Sequence, residues 1–125
     1  MSGGTLDGCV ISNSYSSVYY SYFSSMGIGA FLAGPGAVLK NSEITRNLGA
    51  QASHEYRHQG VGVYVAAGLV QTCRISFNDG SGPSQDVPWH PKGGAGVWID
   101  SAGTVENCLI MGNRLKNTGY KSGGA

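Results

Sequence analysis

The sequence predicts an all-β chain of short parallel strands stacked repeat upon repeat, and three observations carry that expectation. One nine-residue phrase occurs four times in altered wording. Its copies are Leu6-Asp7-Gly8-Cys9-Val10-Ile11-Ser12-Asn13-Ser14, Leu39-Lys40-Asn41-Ser42-Glu43-Ile44-Thr45-Arg46-Asn47, Val70-Gln71-Thr72-Cys73-Arg74-Ile75-Ser76-Phe77-Asn78 and Val105-Glu106-Asn107-Cys108-Leu109-Ile110-Met111-Gly112-Asn113. Read at Ile11, Ile44, Ile75 and Ile110, they lie 33, 31 and 35 residues apart, a period that marks a repeat architecture. A second phrase recurs between them as Gly29-Ala30-Phe31-Leu32, Gly62-Val63-Tyr64-Val65 and Gly96-Val97-Trp98-Ile99, with the period-two alternation of a strand. Finally, 21 of the 125 residues are Gly and only 12% are charged, so the polar character comes from Ser, Asn, Thr and Gly. That is unlike a helical or mixed globular chain.

Taken in order, one repeat is expected to begin with the Gly-Val-aromatic-Val strand. A tight turn of small residues follows: Ala33-Gly34-Pro35-Gly36, Ala66-Ala67-Gly68 or Asp100-Ser101-Ala102-Gly103. A second strand then runs to a bend at Gly8, Asn41, Thr72 or Asn107, where Asn and Gly tolerate left-handed backbone and Asn side chains can bond along the stack. The Cys-x-Ile strand comes next, and a long loop leads onward. None of these strands can bury a face alone, so each is expected to pair with its counterparts in neighbouring repeats, about 4.8 Å away. The result is a parallel β-helix of about four coils in one domain, near residues 2–26, 27–59, 60–92 and 93–125. Val63, Val65, Val70, Cys73 and Ile75 point inward in the third coil, and Glu43 and Arg74 are placed to pair across coils on the outside.

The three cysteines occupy one repeat position, Cys9, Cys73 and Cys108, with Ser42 in the fourth. Small buried side chains stacked one per repeat fit that pattern better than a disulfide framework or a metal cluster. The net charge of +1 argues against nucleic acid or an anionic membrane surface as a partner. No apolar run is long enough to insert in a bilayer, and Met1-Ser2-Gly3-Gly4 does not begin a signal peptide.

The run Gly-Val-Tyr-Val followed by Gly-Leu-Val-Gln-Thr-Cys-Arg-Ile-Ser-Phe-Asn resembles the right-handed parallel β-helix repeats of the pectate-lyase-like superfamily. It looks closer still to the Gly-rich repeats of bacterial surface and secreted β-helix proteins. The resemblance covers essentially the whole chain. It implies right-handed coiling and an extracellular or cell-surface location, and says little of activity, since that superfamily spans lyases, hydrolases, epimerases, adhesins and phage fibres. By alignment with later repeats, the first coil lacks its Gly-Val-aromatic strand, and Lys121 to Ala125 stops where another would begin. Open coils of this kind suit either a segment of a longer β-helix or a homo-oligomer stacked end to end.

Candidate functional residues lie on the outward face and in the loops. Phe31, Tyr64 and Trp98 form an expected ladder on one side, serving either as a platform for a ligand such as a polysaccharide or as a minor core beneath the loops. Trp89 and Tyr56 in the adjoining loops are candidates for the same ligand. The Tyr/Ser-rich loop Tyr15 to Met26 reads as a recognition surface or as a cap on the first coil. In the next loop, His54-Glu55-Tyr56-Arg57-His58 matches His-Glu-x-x-His, and a short helix over Ala50 to Gln59 would place both His on one face. With His90 as third ligand and Glu55 as base, zinc could be held; the alternative is a solvated polar loop, and no other cofactor is expected. Arg57, His58 and Lys92 are the residue types that β-helix polysaccharide lyases use to neutralise a uronate and abstract the adjacent proton. The resulting expectation is a non-enzymatic surface module binding polysaccharide or another surface ligand. The alternatives are a lyase-like or metal-assisted enzyme and an end-to-end structural subunit.

Overall fold

The computed structural model of the chain describes residues 1–18, 25–52, 58–80 and 94–115. In chain order its strands are β1 (Gly3–Asp7), β2 (Val10–Ser12), β3 (Tyr15–Val18), β4 (Ser25–Met26), β5 (Ala30–Leu32), β6 (Gly36–Lys40), β7 (Glu43–Thr45), β8 (Leu48–Ala52), β9 (His58–Gln59), β10 (Val63–Gln71), β11 (Arg74–Ser76), β12 (Val97–Glu106) and β13 (Leu109–Met111). No α-helix occurs among the described residues. The protein is all-β, and among the described residues every pairing between strands is parallel.

The sequence repeat is a structural repeat. In one sheet β1, β6, β10 and β12 lie side by side in chain order, with β5 also pairing β10; in a second the order is β2, β7, β11, β13. Register follows the repeated phrases residue by residue, so Ile11, Ile44, Ile75 and Ile110 form one row across the second sheet. Leu6, Leu39, Val70 and Val105 form another across the first. Both rows point inward. Leu39, Val70, Ile44 and Ile75, with Leu32, Val63, Val65 and Cys73, are buried in the core, while Leu6, Ile11, Val97, Val105, Cys108 and Ile110 pack on it partly buried.

At the expected bend, Gly8, Asn41, Thr72 and Asn107 all have positive φ, between 48° and 65°. A second left-handed corner, at Asn13, Arg46, Phe77 and Gly112, closes the Cys-x-Ile strand with φ between 55° and 63°. The two corners bound the three-residue strands β2, β7, β11 and β13 at either end.

Three expectations are corrected. The small-residue turn exists only in the second repeat, where Gly34-Pro35 separates β5 from β6 and Ala37 N–H donates to the Gly34 carbonyl at 3.0 Å. Pro35 has no N–H to give a ladder; elsewhere the backbone runs through as β10 and β12. The segments taken as loops are partly strand, since β3 pairs with β8 and β4 with β9. Leu48, Asp79 and Arg114 continue the β3–β8 line as isolated bridges. A helix over Ala50 to Gln59 is also not formed, because Ala50 to Ala52 belong to β8 and His58–Gln59 is β9. A parallel partner is available to each of these segments, and ladder pairing satisfies their backbone groups better than one isolated helical turn would.

The Asn ladder is real but lies elsewhere than expected. Asn41 at the bend bonds to Asp7 at the surface, 2.8 Å. The stacked amides are Asn47, Asn78 and Asn113, at the end of each phrase. Asn47 Nδ2 donates to Asn78 Oδ1 and Asn78 Nδ2 to Asn113 Oδ1, both at 2.9 Å. Their second hydrogens go to the carbonyls of Ile11 and Ile44 one repeat back. Each Oδ1 also receives a backbone N–H, from Ser14, Asn47 and Asn78 in turn. Asn47 and Asn78 are wholly buried, which such amides tolerate only when their hydrogen bonds are complete.

This ladder explains the glycines that open the first two Gly-x-aromatic phrases, Gly29 and Gly62. A Cβ on Gly62 would stand 2.8 Å from Asn78 Nδ2 and 3.0 Å from Ile75 Cγ2; on Gly29 it would meet Asn47 and Ile44 in the same way. The two recurring phrases therefore pack on each other at these residues.

Candidate functional site

The aromatic row is in register: Phe31 pairs with Tyr64 in β5–β10, and Tyr64 with Trp98 in β10–β12. Phe31 and Tyr64 meet edge to face, with ring centroids 5.2 Å apart and planes at 72°, a favourable aromatic geometry. The rings are unequally exposed, however. Phe31 is 39% exposed, but Tyr64 is only 6% exposed, and Trp98 lies between as half-buried.

A carboxylate absent from the sequence-based candidates sits at the end of this row. Asp100 Oδ2 accepts the Tyr64 hydroxyl at 2.5 Å, and Oδ1 accepts the Trp98 indole N–H at 3.1 Å. Two features of β12 place it there. Period two puts Asp100 on the same side of the strand as Trp98. Between the pairs Val65–Ile99 and Ala67–Ala102, β12 also has one residue more than β10. Such a bulge re-aims side chains locally, and here Asp100 reaches the hydroxyl on the neighbouring strand.

Burial, with the Asp100 hydrogen bond and charge, pushes the Tyr64 hydroxyl up to about 12. Tyr64 is therefore a neutral donor at every ordinary pH. Asp100 is exposed, and a carboxylate with two donors in place has lone pairs left to accept from a ligand. The arrangement offers two aromatic surfaces flanking a fixed tyrosine, with a hydrogen-bond acceptor beside one of them.

The remaining candidates are placed as follows. His58 begins β9 and pairs with Ser25 through the backbone. His54, Glu55, Tyr56, Arg57, Trp89, His90 and Lys92 lie outside the described residues, so neither the zinc constellation nor the lyase-type group is brought together or separated here. Tyr19, Tyr20, Tyr22 and Phe23 of the Tyr/Ser loop lie outside them too, and Tyr15 is exposed in β3. Among the described residues no group of three His, Cys, Asp or Glu could hold a metal, and no helix is long and apolar enough to cross a membrane.

The cysteines are free thiols at one repeat position: Cys73 is buried in the core, Cys108 packs against it partly buried, and Cys9 is half-buried. Burial raises Cys73 above the usual thiol range, as befits a thiol in the core. Outside, the expected Glu43–Arg74 pair forms at 3.9 Å. An unexpected surface row accompanies it: Lys40 meets Asp7 at 3.3 Å and Gln71 donates to Glu106 at 2.6 Å, two residues before the cysteine line.

No protein-family model matches the chain, and no curated protein or solved structure matches it either, so the aromatic and carboxylate group is interpreted from its chemistry alone.

Proposed function

We propose that this chain is a right-handed parallel β-helix of about four coils, acting as a non-enzymatic module outside the cell or at its surface that binds a polysaccharide. Phe31, Tyr64, Trp98 and Asp100 form the binding face. The observation that carries this reading is Asp100 holding both Tyr64 and Trp98 in an aromatic row that crosses three strands in register. Phe31 and Trp98 stand two strand spacings apart, about 10 Å, and present apolar surface suited to sugar ring faces. The buried Tyr64 keeps the row fixed, and the exposed Asp100 supplies an acceptor for hydroxyl groups, so little ordering is left to occur on binding.

Affinity electrophoresis against soluble neutral glucans, amino-sugar polymers and polygalacturonate tests this directly. Retardation by at least one polymer, weakened about tenfold or more by Trp98→Ala and by Asp100→Asn, is the expected result. Unretarded migration in every polymer, or retardation that both variants leave unchanged, overturns it. Release of unsaturated uronate from polygalacturonate, abolished by Arg57→Ala or Lys92→Ala, would replace it with the lyase reading.

A second reading, end-to-end stacking of copies, has one specific support. On the row Val10, Glu43, Arg74, Leu109 the inner two residues form an ion pair, whereas the outer two are apolar and exposed, Val10 at 69%. Stacked copies would bring Leu109 of one onto Val10 of the next. Light scattering over a concentration series tests this: growth in mass supports it, and a constant monomer mass removes it.

A further inference from the structure

We propose that Cys73 and Cys108 are a redox pair that closes into a disulfide under oxidising conditions, while Cys9 is excluded from it. The two cysteines immediately precede the paired residues Arg74 and Leu109 of β11 and β13, and Leu109 N–H donates to the Cys73 carbonyl at 2.9 Å. They are thus neighbours on adjacent strands, with backbones about 4.8 Å apart, inside the Cα range that a disulfide spans. The Cys108 side chain already lies against the Cys73 backbone, whose N–H donates to Cys108 Sγ at 3.3 Å. Cys9 occupies the same line, but Ser42 stands between it and Cys73: Cys9 N–H donates to Ser42 Oγ at 3.1 Å. Two strand spacings, about 9.6 Å, exceed the reach of a disulfide.

Ser42 also shows that this slot does not need sulfur. Its hydroxyl donates to the Lys40 carbonyl at 2.6 Å, as the Cys73 and Cys108 thiols do to the carbonyls of Gln71 and Glu106 at 3.3 and 3.2 Å. Serine fills the position equally well, so two successive cysteines add a chemistry that the fold does not require.

The oxidant is a small disulfide such as oxidised glutathione. Cys108, the half-buried member, attacks it as the thiolate, releasing one thiol and forming a mixed disulfide. Cys73 then gives its proton to solvent and attacks Cys108 Sγ, expelling the second thiol. Overall two S–H groups become one S–S bond, and one small disulfide is reduced to two thiols. Burial holds the Cys73 thiol above its ordinary range, so the closing step quickens as pH rises. The bond would tie together the two repeats that supply Tyr64 on one side and Trp98 and Asp100 on the other.

Trypsin places each cysteine in its own peptide, 1–40, 58–74 and 93–114, which makes the pairing directly readable. The folded chain is equilibrated across a series of reduced-to-oxidised glutathione ratios, free thiols are alkylated, and the digest is weighed without reduction. A linked 58–74/93–114 species lighter by two hydrogens, with Cys9 recovered alkylated or as its mixed disulfide, is expected. A rise in Tm of several degrees that Cys9→Ser retains and Cys73→Ser or Cys108→Ser loses should accompany it. Linkage involving Cys9, or three unlinked cysteines at the most oxidising ratio, overturns the proposal. The mass readout on the unsubstituted chain decides the matter even if a serine variant fails to fold.

Discussion

The inner and outer repeats share one phrase but occupy two environments. Ile44 and Ile75, in the middle strands of their sheet, have no exposed surface, whereas Ile11 and Ile110, on the outer strands of the same row, are only partly buried. The Leu39 and Val70 pair differs from Leu6 and Val105 in the same way, and Ile99 is 50% exposed where its partner Val65 is fully buried. Burial in this protein is therefore not a property of a residue type or of a repeat. It comes from having a neighbour on both sides, as nearest-neighbour stacking requires.

The sharpest way to break that comparison is to truncate the same residue in two places. Ile75→Ala should cost about 4 kcal/mol and Ile110→Ala about 1–2 kcal/mol, because only the first leaves a closed cavity. Urea unfolding midpoints measure both, and equal losses would mean that the outer repeat is as well supported as the inner one. Asn78→Ala should follow at about 3 kcal/mol, since it strands the buried side-chain amide and backbone N–H of Asn47 and takes a donor from the Ile44 carbonyl, against about 1 kcal/mol for Asn113→Ala at the ladder's part-buried end.

Backbone strain offers a test of opposite sign. Thr72 is a β-branched residue held at φ 53° where its counterparts are Gly or Asn. Thr72→Asn should stabilise by about 0.5–1 kcal/mol in the same assay, because Asn adopts the left-handed region more readily.

The aromatic row is sharpened by pH. The folded hydroxyl of Tyr64 titrates near 12 and the unfolded one near 10.0, so between these values the unfolded chain gives up its proton first and stability falls as pH rises. Tyr64→Phe should flatten the loss of Tm on this interval, as a thermal melt series from pH 9 upward would register. The smallest effect is expected at the exposed Glu43–Arg74 pair. Arg74→Ala should change stability by about 0.5 kcal/mol or less, and less again in high salt.

Most of the architecture is legible in the sequence because stacking makes local and long-range information coincide. A period-two strand phrase repeated at about the same interval specifies both a strand and its partner. Hence the inward set, the left-handed bend and the Glu43–Arg74 pairing are all readable. What is not readable depends on the third dimension. Alternation puts Tyr64 on the outward side but does not say that it is buried there. Asp100-Ser101-Ala102-Gly103 carries turn residues, and only the pairing with β10 makes it a bulge that delivers a carboxylate to the row. The choice between Asn41 and Asn47 as the stacked amide likewise depends on which of two bends faces the core.

Native-state hydrogen exchange, resolved by residue, tests the central claim that each repeat is stabilised by its neighbours. Protection should be greatest in β7, β11 and the Val63–Gln71 strand and fall toward β1 and β2 on one side and β12 and β13 on the other. Equal protection across all four repeats, or slowest exchange in β1 or β13, would contradict the account.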